Sequence, residues 1–457
     1  MGDTRLPDIG GPESLVLSPA QEQGLQGQIV HQIRATLPVL DDAEVSAYLR
    51  AVGYRLLAAD PDARGRFVFL VLNAPDINAF AAPGGVIAVN SGLILASHDE
   101  SELAGVMAHE ITHVTQRHLA RSYARQGGMT LKTGLALLAG LILGAYNPDI
   151  GAAAALSGMA ASQQAQLGYS RQNEQEADRI GVQVMVQAGY DPTGMPRFFA
   201  TLARQSGQQG GKLVEYLMTH PLTRSRLADT EARATQLARG RQLETDQPEF
   251  HYIQARLRVL TGKPARHIAR FRALQRKRKL TALEHYEHGL ALSRAGQARA
   301  AIGELRQAEA LGAPAMPVQL AMAEAWLAAR QPDKALDILQ RLKALHPTAH
   351  PVRRLLARAM IDAGKAATAV DLLFGLLSTD DADPEDLRLL SVAASRLHRR
   401  ALAREAMAER HFALGEYDEA MTQIRLALQE SDADELTRRR LLRKRAQLEE
   451  WLKAEQQ

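Results

Sequence analysis

The stretch Leu103-Ala104-Gly105-Val106-Met107-Ala108-His109-Glu110-Ile111-Thr112-His113-Val114 decides how the chain is read. Leu103, Val106, Met107 and Val114 recur at helical spacing and give the segment an apolar side. On that helix His109 and His113 lie four residues apart and project from one face, about 6 Å from each other, so both imidazoles can bind one metal ion. Glu110 then flanks the metal and is placed to take a proton from bound water. The helical pattern begins at Glu100-Ser101-Glu102 and continues through Arg121. On such a continuous helix His118 is turned about 140° from the face of His113 and belongs at the surface or behind the ligands, not among them.

A catalytic zinc takes three protein ligands and keeps one open position. The chain has no cysteine. Thiolate zinc sites, iron–sulfur clusters, disulfide scaffolds and cysteine nucleophiles are thereby excluded, and the third ligand is a His, Glu or Asp from a later helix. The best match is Asn173-Glu174-Gln175-Glu176-Ala177-Asp178-Arg179. Glu174 and Asp178 share a face, whereas Glu176 points roughly 200° from Glu174. With Glu174 on the metal, Asp178 is placed to brace His113 or another ligand. His220-Pro221 breaks the chain before a polar helix from Ser225 to Gly240. His220 is expected to fill the open metal position and displace the catalytic water until its loop moves. The plainer alternative is a helix-end histidine without metal contact. Arg226 reads either as a group for a substrate carbonyl or oxyanion or as a surface arginine.

Apolar positions recur at helical spacing from Glu22 to Leu57, ahead of a β-prone run Arg66–Leu72. Ile77–Phe80 and Gly85–Val89 flank Gly84, which predicts a small sheet built around a hairpin. The strand beginning Gly85-Val86-Ile87 is expected to take an extended substrate at a sheet edge. Residues 1–20 read as a flexible lead-in. Residues 127–166 are rich in Gly, Ala and Leu and almost uncharged. They read as a helical hairpin in the core, or as an apolar flap near a membrane or substrate channel. The most apolar part, Leu135–Tyr146, is too short to span a bilayer. The opening Met1-Gly2-Asp3-Thr4-Arg5-Leu6 lacks the pattern of a signal peptide or a myristoylation site, and fits a mature chain carrying an added methionine.

Beyond residue 245 the pattern becomes repetitive. Ala301, Ala335, Ala369 and Ala420 occupy one register, the first two gaps being 34 residues and the last one and a half periods. Gly289, Ala323, Ala357 and Ala408 lie twelve positions before them, and Leu305, Leu339, Leu373 and Ile424 four after. Gly296, Gly364 and Gly415 recur where a turn joins two helices. Small residues at this period resemble tetratricopeptide repeats, with an extra helix near Asp386–His398 and a degenerate first repeat at Gln254–Gln275. Such repeats stack into a solenoid with a concave groove that binds peptides or partner proteins. Lys263–Lys279 holds eight basic residues and no acidic one, and reads as a solvated face or a docking surface for acidic partners.

Composition agrees. The 457 residues predict roughly three domains or subdomains. With 46% hydrophobic and 23% charged residues, wholesale disorder is excluded. Only 5% are aromatic, and alanine runs are common, which favours helices over a β-sandwich. A net charge of +4 does not point to nucleic acid. The predicted fold is mainly α with a small β-sheet: lead-in 1–20, a metallopeptidase domain over 21–244, and a helical repeat solenoid over 245–457.

The metal helices resemble the M48-type gluzincin metallopeptidases, which are zincin-like in fold. The likeness rests on Val106-Met107-Ala108-His109-Glu110-x-x-His113, Thr115–Arg121, Asn173–Gly181 with Glu174-x-x-x-Asp178, Asn78-Ala79-Phe80-Ala81 ahead of Gly84-Gly85, and Thr219-His220-Pro221-Leu222. Thr223-Arg224 departs from the Pro-Glu of close relatives. With the C-terminal repeats, the chain is most similar to the members of the family in the periplasm of Gram-negative bacteria. The resemblance implies one zinc ion per chain held by His109, His113 and Glu174, with Glu110 as general base and Asp178 in support. It further implies an endopeptidase and chaperone-like factor of the periplasm that acts on unfolded or stalled outer-membrane β-barrel proteins at their assembly machinery, with peripheral membrane association allowed. The alternative of another class is a scaffold or chaperone whose proteolysis is latent; such a protein has no need for Glu110.

Overall fold

The computed structural model describes residues 19–126, 170–208, 216–243, 247–377 and 383–455. Residues 1–18 of the lead-in expected over 1–20, the apolar segment 127–166 and residues 209–211 of the expected Ser206–Gly211 loop lie outside them, and Pro19 and Ala20 of that lead-in are instead helical. The chain divides into two units, one of Met1–Leu40 and Tyr48–Gln247, the other of Asp41–Ala47 and Pro248–Gln457.

The helical run expected over Glu22–Leu57 is two helices, α1 (Pro19–Thr36) in the first unit and α2 (Ala43–Ala59), which belongs to the first unit from Tyr48 onward. Pro38 cannot supply the donor a continuing helix needs. The chain around it runs beside a strand instead: Leu40 N–H donates to Val71 O at 2.8 Å, and Asn73 N–H to Pro38 O at 2.7 Å. The sheet has strands β1 (Val68–Leu72), β2 (Ala79–Ala82) and β3 (Val86–Asn90) in the order β1–β3–β2. β3 runs parallel to β1 with Val68 opposite Val86, and antiparallel to β2 with Ala82 opposite Val86. The hairpin is thus present, closed by Gly84 and Gly85, both at φ 80°.

β3 is therefore the central strand, and both its edges are taken. The expectation that Gly85, Val86 and Ile87 receive a substrate is corrected: Val86 and Ile87 are fully buried, and Gly85 turns the chain so close to Arg66 that a Cβ would meet its carbonyl oxygen at 2.5 Å. Among the described residues, β2 has a strand on one side only.

The unit continues through α3 (Ser91–Ala96), α4 (Glu100–Thr115), α5 (His118–Gln126), α6 (Arg171–Gln187), α7 (Gly194–Gln208), α8 (Tyr216–Thr219) and α9 (Arg224–Ala238). The helix expected over Glu100–Arg121 is broken, because Arg117 takes φ 52° between α4 and α5.

The second unit is an array of helical hairpins. Its elements are α10 (Pro248–Thr261), α11 (Pro264–Gln275), α12 (Ala282–Arg294), α13 (Ala298–Ala310), α14 (Ala315–Ala328), α15 (Pro332–Leu345), α16 (His350–Asp362), α17 (Ala366–Leu377), α18 (Pro384–Arg396), α19 (Arg400–Ala413), α20 (Tyr417–Gln429) and α21 (Glu435–Glu455). The four register alanines are fully buried between paired helices. At Gly289 on α12 a Cβ would meet Leu305 Cγ of α13 at 2.7 Å, so a larger residue would force the pair apart. The turns use φ 74°, 78° and 77° at Gly296, Gly364 and Gly415, and the same register position in the remaining repeat is Arg330 at φ 57°. α18 is the extra helix that the longer gap predicts, and α10–α11 cover the degenerate first repeat. In the basic stretch, Arg270 and Arg278 reach Glu287 and Glu284. The molecule is thus mainly helical with one small sheet, as its composition and periodicities predict.

Candidate metal centre

α4 is core along almost its whole length: every residue from Glu100 to His113 is buried. Its start is fixed by Asp99, whose side chain accepts the Glu102 N–H at 2.9 Å. α6 starts likewise at Ser170, which caps the Asn173 N–H at 3.2 Å. The two helices touch at Gly181, where a Cβ would stand 3.3 Å from the His109 backbone nitrogen. That close approach carries Glu174 and Asp178 to the histidines of α4.

His113 Nε2 lies 3.0 Å from His109 Nε2 and 3.3 Å from Glu174 Oε1. His109 Nε2 lies 3.5 Å from Glu174 Oε2. His220, just past α8, places Nδ1 3.0 Å from Glu174 Oε1 and 3.3 Å from His109 Nε2. One donor atom from each of His109, His113, Glu174 and His220 falls within 4.8 Å of the others, and all four residues are buried. Three imidazoles and a carboxylate aimed at one point match the nitrogen–oxygen ligand set of zinc. The structure thus brings together the four residues that the sequence nominated, His220 included.

Glu110 sits at the rim of this cluster. Its Oε1 accepts from the Tyr216 hydroxyl at 3.1 Å and lies 3.5 Å from His220 Nε2. Its Oε2 is buried with no hydrogen-bond partner among the described residues. Burial pushes the Glu110 carboxyl up, against the pull of His220 and His109. Tyr216 was not foreseen. It stacks on His220 with ring centroids 4.6 Å apart, four residues before it, and that helical spacing was the available signal.

Asp178 backs His109, with Oδ1 3.0 Å from Nδ1, rather than His113. Burial alone would lower the His109 imidazole, but Asp178 and Glu174 override it and raise it to about 9. Burial would raise Glu174 and Asp178. The facing histidines hold Glu174 well below the usual carboxylate range, and Arg226 and His109 do the same for Asp178.

Arg226 is neither a surface arginine nor a group open to substrate. It is buried, with Nε and Nη2 on the two Asp178 oxygens at 2.7 and 2.8 Å, and Nη1 2.6 Å from Glu174 Oε2. The Thr223 that departs from the family pattern caps α9, accepting the Arg226 N–H at 3.2 Å. His118 takes the second of its two expected places, behind the ligands. The break at Arg117 swings it back until its Nδ1 lies 2.8 Å from His113 Nδ1, with Nε2 3.1 Å from Glu176 Oε2. Burial, with Arg121 nearby, pushes the His118 imidazole down to about 4.

Residues 43–234 match the family model described as peptidase family M48. The beta-barrel assembly-enhancing protease of Escherichia coli (strain K12) is 40% identical over 232 residues, 51% of this chain and 47% of that one. The putative beta-barrel assembly-enhancing protease of Vibrio cholerae is 40% identical over 255 residues, 56% and 52% of the two chains. The mitochondrial metalloendopeptidase OMA1 of Arabidopsis thaliana is 34% identical over 157 residues, 34% and 29% of the two. The chain spans about half the length of the first two relatives. Among solved structures, the P58(IPK) TPR domain shares 13% identity over 76% of this chain and 89% of that one, with a TM-score of 0.18.

Proposed function

From the peptidase family M48 domain over residues 43–234, we infer that the chain is a zinc-dependent endopeptidase acting on outer-membrane β-barrel proteins during their assembly. The observation that carries this reading is the buried convergence of His109, His113, Glu174 and His220 beside Glu110. Zinc, when bound by His109, His113 and Glu174, supplies polarisation of the scissile carbonyl and acidification of a water. Glu110 accepts the proton of the attacking water on its unpartnered Oε2 and passes it to the leaving amine. Tyr216 orients the other Glu110 oxygen. Asp178 and Arg226 hold His109 and Glu174 in place.

The name of the bacterial relatives supports the substrate class, and so does the side of β2 that carries no strand among the described residues. An unfolded β-strand presents the donors and acceptors that such an edge pairs with. The helical hairpin array would recruit substrate or assembly machinery and raise its concentration near the zinc. The working compartment on this reading is the periplasm. No described helix is long and apolar enough to cross a membrane.

His220 acts as a latch on this reading: it takes the fourth donor position and keeps the site closed until its loop moves. Incubating the full chain with an unfolded outer-membrane β-barrel protein tests the whole proposal. Wild type should hold one zinc per chain and cleave. Glu110→Gln should keep the zinc and lose about 10²–10⁴-fold in rate. His220→Ala should keep the metal and cleave faster; an unchanged rate and coordination would remove the latch. A Glu110→Gln protein that fully retains biological function would favour the scaffold reading instead.

A further inference from the structure

We propose that His118 positions His113 for the metal by accepting a hydrogen bond from its Nδ1–H, and that Glu176 holds His118 in the tautomer able to accept it. The proposal rests on the zinc reading above. The proton positions follow from the partners. A carboxylate only accepts, so His118 Nε2, 3.1 Å from Glu176 Oε2, carries a proton. The 2.8 Å contact between the two Nδ1 atoms needs one proton between them. Were it supplied by His118, the proton of His113 would sit on Nε2. That nitrogen faces His109 and Glu174 and would then have no lone pair for a metal. Supplied by His113, it leaves Nε2 free to ligate. Only the second arrangement is compatible with a metal ligand at His113.

The surroundings fix the relay in place. Arg121 holds the Glu176 carboxylate at 2.5 Å. Ser122 donates to the His118 carbonyl at 2.8 Å and accepts from the Asn173 amide at 3.3 Å, which ties α5 to α6. His118 itself is fully buried. The arrangement parallels the other histidine, which Asp178 and Arg226 back directly. Each of the two α4 imidazoles thus has a carboxylate and an arginine behind it, with a second imidazole interposed only for His113.

The test reads metal binding. Zinc affinity of the full chain is measured by competition with a fluorescent chelator, beside the visible absorption of the cobalt-substituted protein. His118→Phe fills the space without an acceptor and should weaken zinc binding about 10–100-fold and shift the cobalt spectrum. His118→Asn returns an acceptor and should recover most of that loss. Glu176→Gln, at a partly exposed position that spares the fold, should give a smaller loss in the same direction. Wild-type affinity in both His118→Phe and Glu176→Gln overturns the proposal, as does a His118→Asn protein no better than His118→Phe. If His118→Phe does not fold, wild-type affinity in Glu176→Gln alone overturns it. A wild-type chain that binds no zinc brings down the zinc reading itself, a distinct result.

Discussion

Each unit of the molecule buries an arginine among carboxylates, and the two clusters behave in opposite ways. In the first unit Arg226 faces Asp178 and Glu174. In the second, Arg256 faces Asp42, Glu44 and Glu324, at 2.8, 2.8 and 2.7 Å. On the far side of the first pair, His109 and His113 hydrogen-bond the acids, and with the guanidinium they hold both carboxyls down. The second has three acids on one guanidinium. Asp42, doubly bonded to it, stays low, but burial pushes Glu44 up to about 8. Asp42 meets two nitrogens of the guanidinium and is held down, whereas Glu44 meets one and has no histidine to help, so burial prevails.

The sharpest way to break this comparison is to remove each arginine. Arg226→Met takes the guanidinium from two buried acids and should cost about 3–5 kcal/mol in urea unfolding, part of it regained when zinc is added. Arg256→Met should cost less, about 2–3 kcal/mol, because burial already favours the protonated form of Glu44, and zinc should restore none of it. A larger loss at Arg256 would invert the ranking.

Glu44 sharpens the comparison through pH. Its folded-state pKa is above its ordinary 4.5, so the folded protein binds the proton more tightly. The resulting stabilisation is full below about pH 4.5 and is lost as pH rises through about 8. Glu44→Gln should flatten that slope and leave the protein about 1–2 kcal/mol more stable than wild type at pH 8, read from urea midpoints between pH 5 and 8. The smallest effect lies in the repeats: Arg330→Gly should relieve the left-handed turn and gain about 0.5 kcal/mol, as glycine serves the turns at Gly296, Gly364 and Gly415.

The two regions also differ in how much the sequence revealed. His109, His113, Glu174 and Asp178 were legible because helical spacing puts each pair on one face, and the register alanines because one period recurs along the chain. That His118 stands behind the ligands was one of its two expected places, but its contact with His113 was not legible, because Arg117 breaks the helix with no glycine or proline to announce it. Arg226 and the Asp42–Arg256 cluster were opaque for another reason: ion pairs between distant segments leave no local period. The open edge of the sheet was misassigned because strand order is a long-range property, and nothing within Gly85–Val89 marks it as central.

Gly181 carries no ligand, yet its contact with the His109 backbone sets how far apart the metal's two supporting helices stand. The bite of the donor cage is therefore dictated by a missing methyl group. An alanine there would press on the Met195 methyl and on the backbone between Ala108 and His109, so the placing of the donors is tied to a residue that carries none of them.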